Sequence, residues 1–142
     1  MPGAFAAPPR SVLVVEDDSA MLAMLAEELR NAGFDVREAE SGDAAMRTLS
    51  ASAPVDLLLT DVRMPGLTDG LALARRVRSE WPATKIVLMS GYLRDMENAS
   101  VADAFLGKPF PLSAATDCVE RILSGVSAGE QSMTPLAGKD CA

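Results

Sequence analysis

The chain has 142 residues, enough for one compact domain, and its formal net charge of −7 argues against a duplex-binding surface, which rests on Lys and Arg neutralising phosphates. It contains no His, which excludes a His-based triad, a His metal site and a phosphohistidine on this chain. Aromatics are scarce, with one Trp, one Tyr and four Phe, so the core has to be aliphatic and rich in Ala and Met.

Residues 1–9 are rich in Pro, Gly and Ala and are expected to be mobile. They lack the charged start and long apolar run of a signal peptide, and no segment is long enough to span a bilayer. SVLVVE at 11–16 is a continuous β-branched run, as in a strand buried on both faces. Asp18 or Ser19 then caps a helix to about Ala32, with Met21, Leu22, Leu25 and Leu29 on one face and Gly33 just past its end. FDVRE at 34–38 alternates like a strand near a sheet edge. Ser41 starts a second helix, which Pro54 stops. VDLLLTD at 55–61 is an apolar run ending in an acid, followed by the turn-rich MPGLTDG at 64–70. A helix from about Leu71 to Trp81 is closed by Pro82. KIVLMS at 85–90 is another buried strand and ends in a hydroxyl. Residues 92–102 predict a weak, short helix, ADAFLGK at 102–108 a short strand, and 112–124 a last amphipathic helix. The tail, 126–142, is small and polar and reads as flexible, which leaves 10–125 as the folded domain.

Strand and helix thus alternate five times. Such a pattern implies a parallel sheet covered on both faces, and right-handed crossovers make the doubly wound arrangement its natural solution. Cys118 lies within the last helical pattern and reads as a small core residue; Cys141 lies in the tail, and together they fit a cytoplasmic, reducing setting.

Ligands of such sheets bind beyond the carboxyl ends of the strands. Those ends are Glu16-Asp17-Asp18, Thr60-Asp61, Ser90-Gly91 and Lys108-Pro109. Crowded carboxylates raise one another's pKa, and a divalent cation such as Mg²⁺ relieves them while keeping positions for water and phosphate. One carboxylate can then attack phosphorus, while Lys108 and the Ser90 hydroxyl contact phosphate oxygens. A lone strand-end Asp is more often a turn or cap residue, and a lone Lys-Pro is usually a loop. Four such ends on the four expected strands are hard to assign to coincidence. The competing motifs fail: no GxGxxG or GxxxxGK[ST] follows the first strand, no GxSxG exists, and Asp61-Val62-Arg63 lacks the second Asp of haloacid-dehalogenase-type phosphatases.

The blocks VLVVEDD (12–18), LLLTDVRMPG (57–66), VLMSGY (87–92) and FLGKPF (105–110) closely resemble the receiver domain of bacterial two-component response regulators, over roughly residues 10–125. The resemblance implies a flavodoxin-like α/β fold, (βα)₅, with strand order 2-1-3-4-5. It implies Asp61 as phosphoacceptor, and a Mg²⁺ (or Mn²⁺) site formed by Asp17 directly, Glu16 through water, Asp61 and the backbone carbonyl of Arg63. Ser90 would be the switch hydroxyl, Phe105 the switch aromatic that turns inward, and Lys108 the phosphate-contacting cation, with Lys108–Pro109 cis. The implied partners are a histidine kinase or histidine phosphotransferase and a downstream protein, with no direct nucleic acid or membrane binding. Weak self-phosphorylation from small phosphodonors is implied as well.

Glu16 and Ser90 replace the commoner Asp and Thr with the chemistry preserved, while Phe105 cannot donate a hydrogen bond as a Tyr could. PGLTDG carries one extra residue, and the short stretch from Ser90 to Lys108 shrinks the fourth helix, so the dimer face usually built there is not carried over. Arg63 and Tyr92 each lie two residues past a site residue; they either flank the phosphoryl group and slow its hydrolysis or point into solvent. The readings left open are a stand-alone receiver, a receiver fragment of a hybrid histidine kinase, and a small α/β phosphate- or flavin-binding protein.

Overall fold

The computed structural model describes residues 8–97 and 100–125. Of the segments expected to be mobile, 1–9 and 126–142, residues 1–7 and all of 126–142, with Cys141, lie outside these residues. Ten elements alternate: β1 (Ser11–Val15), α1 (Ser19–Asn31), β2 (Asp35–Ala39), α2 (Gly42–Ala51), β3 (Leu57–Asp61), α3 (Gly70–Glu80), β4 (Lys85–Ser90), α4 (Leu93–Glu97), β5 (Ala104–Gly107) and α5 (Leu112–Leu123). The five strands are all parallel and lie in the order β2-β1-β3-β4-β5.

Side chains alternate across a strand, so each apolar run feeds two cores. Val12, Val14, Leu57, Leu59, Val87 and Met89 pack with Leu25 and Leu29 of α1 and Val119 and Ile122 of α5. Leu13, Val15, Leu58, Ile86 and Leu88 face the other way, onto Leu49 of α2 and Leu73 and Val77 of α3. Burial on both faces explains why these strands read as unbroken apolar runs, whereas β2, at the sheet edge, alternates. Cys118 is fully buried in the first core, but it is disulfide-bonded, which corrects its reading as a plain core thiol in a reducing setting.

The helix ends follow their local chemistry. Asp18 caps α1 by accepting from the amides of Ala20 and Met21, Ser41 caps α2 through Ala44, and Asp69 caps α3 through Ala72. Gly33, with φ 101°, takes the left-handed turn after α1. Several elements are shorter than the sequence predicts, β5 among them at Ala104–Gly107 against the expected 102–108. β3 begins at Leu57, just past Asp56, whose amide donates to Ser11 O at 3.0 Å and whose carboxylate accepts from the Ser11 amide at 2.7 Å. α4 spans Leu93–Glu97 and not the predicted 92–102. No helix among the described residues is long and apolar enough to cross a membrane.

Candidate functional site

The strand register decides what meets at the carboxyl rim. Val15 pairs with Thr60, so Glu16 and Asp61 leave the sheet in the same rank, and Ser90 pairs with Gly107, which places Lys108 beside it. Backbone hydrogen bonds continue past the strand ends: Glu16 N donates to Ala39 O at 3.1 Å, Val62 N to Met89 O at 2.9 Å, and Lys108 N to Ser90 O at 2.8 Å. The chemistry-bearing side chains therefore spring from backbone that the sheet holds rigidly.

Carboxylate oxygens of Glu16, Asp17 and Asp61 come within 4.8 Å of one another. Glu16 and Asp61 are buried, and Asp17 is exposed. Lys108 Nζ bridges the two buried acids, 2.8 Å from Asp61 Oδ1 and 3.0 Å from Glu16 Oε1. The other Glu16 oxygen accepts from the Asp18 amide at 3.1 Å. Asp18 is otherwise occupied as the α1 cap, so it stands outside the acid cluster, as the sequence suggests.

Burial pushes the Asp61 carboxyl up to about 7; Lys108 pulls against that rise, and Glu16 adds to it. Burial works to lower the Lys108 ammonium, but its bonds to Asp61 and Glu16 win and leave it above its ordinary value. A set of oxygen donors with one buried, easily neutralised acid fits a hard divalent cation. The donors present are Asp17, Asp61 and Glu16.

The approach to Asp61 depends on close packing behind it. A Cβ on Gly70 would stand 1.6 Å from the Asp61 carbonyl oxygen, so only glycine lets the first turn of α3 sit against the phosphoacceptor candidate. The loop between them turns through Gly66 at φ 106°.

Ser90 is near the cluster but differently engaged. Its hydroxyl donates a short bond to Asp95 Oδ2 and accepts from the Tyr92 amide at 3.0 Å. Arg63 grips the same carboxylate with two bonds, Nε to Oδ2 at 3.0 Å and a terminal nitrogen to Oδ1 at 2.9 Å. Its guanidinium lies 4.2 Å from the centroid of the Tyr92 ring. Asp61, Arg63, Ser90, Gly91, Tyr92 and Lys108 line one cleft of about 550 Å³. Arg63 and Tyr92 thus border the cleft; both stay largely exposed, and Arg63 is held by Asp95.

Phe105 is buried in the second core. The sequence expectation has this ring turning inward on phosphorylation; here it is already packed inside. The Lys108–Pro109 bond is cis. Asp95, on α4, is the residue the sequence reading missed: it is 9% exposed and joins Ser90 to Arg63.

Comparison with known proteins agrees with this geometry. Residues 12–120 match the family model described as the response regulator receiver domain. The DNA-binding transcriptional regulator NtrC of Salmonella typhimurium is 35% identical over 118 residues, 80% of this chain but 24% of that protein. The chain therefore spans about a quarter of the NtrC relatives it matches. The response regulator receiver protein CpdR of Brucella abortus is 34% identical over 118 residues, covering 80% of this chain and 97% of CpdR. The sensor kinase CckA of the same organism is 36% identical over 118 residues, 80% of this chain and 12% of CckA. Among solved structures, the signal receiver domain of a histidine kinase from Syntrophus aciditrophicus superposes with a TM-score of 0.73 at 31% identity, over 82% of this chain and 92% of that one. The flavodoxin-like order 2-1-3-4-5 and the two-component signalling class follow. The chain belongs to the response regulator receiver domain family.

Proposed function

We propose that this chain accepts a phosphoryl group on Asp61 from the phosphohistidine of a partner kinase or histidine phosphotransferase. The observation that carries this reading is the bridge of Lys108 between Asp61 and Glu16, with Asp17 alongside, at the rim where the strands end. An Asp61 carboxylate oxygen attacks phosphorus, the phosphorus–nitrogen bond breaks, and the imidazole leaves with the electron pair. Lys108 stays within reach of the new phosphate oxygens and offsets their charge. Asp17, Asp61, the Arg63 carbonyl and, through water, Glu16 would hold a Mg²⁺-type cation, which supplies charge neutralisation to the phosphoryl oxygens. The occupation of both Glu16 oxygens, by Lys108 and the Asp18 amide, favours its acting through water.

The phosphorylated site then recruits the Ser90 hydroxyl, and the face from 90 to 112 changes shape for a downstream protein. Arg63 and Tyr92, stacked at the border of the cleft, restrict attacking water and lengthen the life of the aspartyl phosphate. Residues 10–125 form the receiver unit. A second reading, that this receiver works as a module of a sensor kinase, is favoured by the match to CckA; the length of the parent gene decides it.

Intact mass after incubation with acetyl phosphate and Mg²⁺ tests the reading. Wild type should gain one phosphoryl mass and Asp61→Ala none. Equal gain in both would refute it.

A further inference from the structure

Ser90 and Asp95 are joined by a bond that the phosphoacceptor chemistry does not use. A serine hydroxyl has one proton to donate, so Ser90 can point to Asp95 or to a phosphoryl oxygen, never to both. Asp95 is buried, and its partners are Ser90 and the two bonds from Arg63. Its amide donates to Tyr92 O at 3.0 Å, which fixes it in the first turn of α4. The Ser90 oxygen is in turn held by the Tyr92 amide, and the Tyr92 ring lies under the Arg63 guanidinium. Ser90, Tyr92, Asp95 and Arg63 therefore form a closed ring of contacts beside Asp61.

We propose that Asp95 is a positioning residue that acts through Ser90 as an internal competitor of the phosphoryl group, holding the hydroxyl away from Asp61 until phosphorylation displaces it. The proposal rests on the reading of Asp61 as phosphoacceptor. Transfer of the Ser90 proton from Asp95 to a phosphoryl oxygen exchanges one hydrogen bond for another and breaks no covalent bond. It leaves a buried carboxylate held by Arg63, which weakens the seat of α4 and links site occupancy to the shape of that helix. Asp95 thus sets how readily the site is filled, without touching the reacting atoms.

Calorimetric titration of the full chain with beryllofluoride in Mg²⁺ tests this. Release of one charge-assisted hydrogen bond corresponds to about a tenfold change in an equilibrium. Asp95→Ala should therefore bind the mimic about tenfold more tightly than wild type, and the isosteric Asp95→Asn by an intermediate factor. In a Ser90→Ala background the Asp95 substitution should change affinity by less than about twofold, because no hydroxyl remains to compete. An equal shift in both backgrounds, or a loss of affinity in Asp95→Asn, would overturn the competition, and Asp95→Asn decides alone if Asp95→Ala does not fold. Uptake by wild type with no gain in either Asp95 variant refutes the competitor role only; no uptake by wild type refutes the phosphoacceptor reading and the competitor with it.

Discussion

Both rims of the sheet carry acids next to strand ends, yet the two rims use them in opposite ways. At the amino rim Asp56 accepts from the Ser11 amide, and Asp103 accepts from the Ile86 amide at 2.8 Å and from Arg78 at 2.8 Å. Each is satisfied by backbone N–H groups or a cation, and each ties neighbouring strands together. At the carboxyl rim Glu16, Asp17 and Asp61 face one another, with Lys108 bridging the two buried members. An acid whose partners are donors stabilises the fold. An acid whose neighbours are acids costs stability and stores the ability to bind a cation and a phosphoryl group.

The largest expected effect comes from removing the bridge. Lys108→Ala should slow phosphoryl uptake from acetyl phosphate about a hundredfold, the usual loss when one charge-stabilising donor is deleted. Timed intact-mass measurement reads it. Next comes the opposite rim: Asp103→Ala leaves the Ile86 amide and Arg78 without this acceptor and should cost roughly 2 kcal/mol in urea unfolding, while uptake proceeds at the wild-type rate. The comparison fails if Asp103→Ala loses uptake as Lys108→Ala does.

A smaller effect has the opposite sign. Asp61 is raised from 3.8 to about 7, so between those values the folded chain holds a proton that the unfolded chain has released. Its contribution is fully present below 3.8, and stability falls as pH rises through the window to 7. Asp61→Asn escapes that loss. In chelator at pH 8 it should be more stable than wild type by on the order of 1 kcal/mol, and near pH 4 the difference should fade. Thermal melts at the two pH values check it. The smallest effect is on lifetime: Arg63→Ala or Tyr92→Ala should speed decay of the aspartyl phosphate about threefold, by the loss of a stacked pair worth under about 1 kcal/mol. Slower or unchanged decay would show that the pair does not shield the site.

Much of this was legible in the sequence because two periodicities carry it. Unbroken apolar runs at 12–15, 57–59 and 86–89 mark strands buried on both faces, and their ends name Glu16, Asp61 and Ser90. Asp18 and Ser41 announce helix starts through capping chemistry. Asp95 was not legible. It sits in a helix too short to show a period, and nothing separates it from the other members of a set of 20 acidic residues until the fold places it 32 positions from Arg63 in sequence but in contact with it. The packed state of Phe105 was also hidden, since an aromatic at that strand position reads the same whether the ring is in or out. Gly70 was named only within a turn-rich stretch; its need for a missing Cβ arises from the backbone of Asp61 arriving beside it.

A crystal structure of the chain with Mg²⁺ and beryllofluoride tests the central claim most directly. The account predicts the mimic on an Asp61 oxygen, the cation against Asp17 and Asp61, Lys108 turned to a fluoride, and the Ser90 hydroxyl moved off Asp95 onto another. A mimic bound elsewhere, or an Asp61 carboxylate still bridged to Glu16 through Lys108 with no ligand upon it, would contradict it.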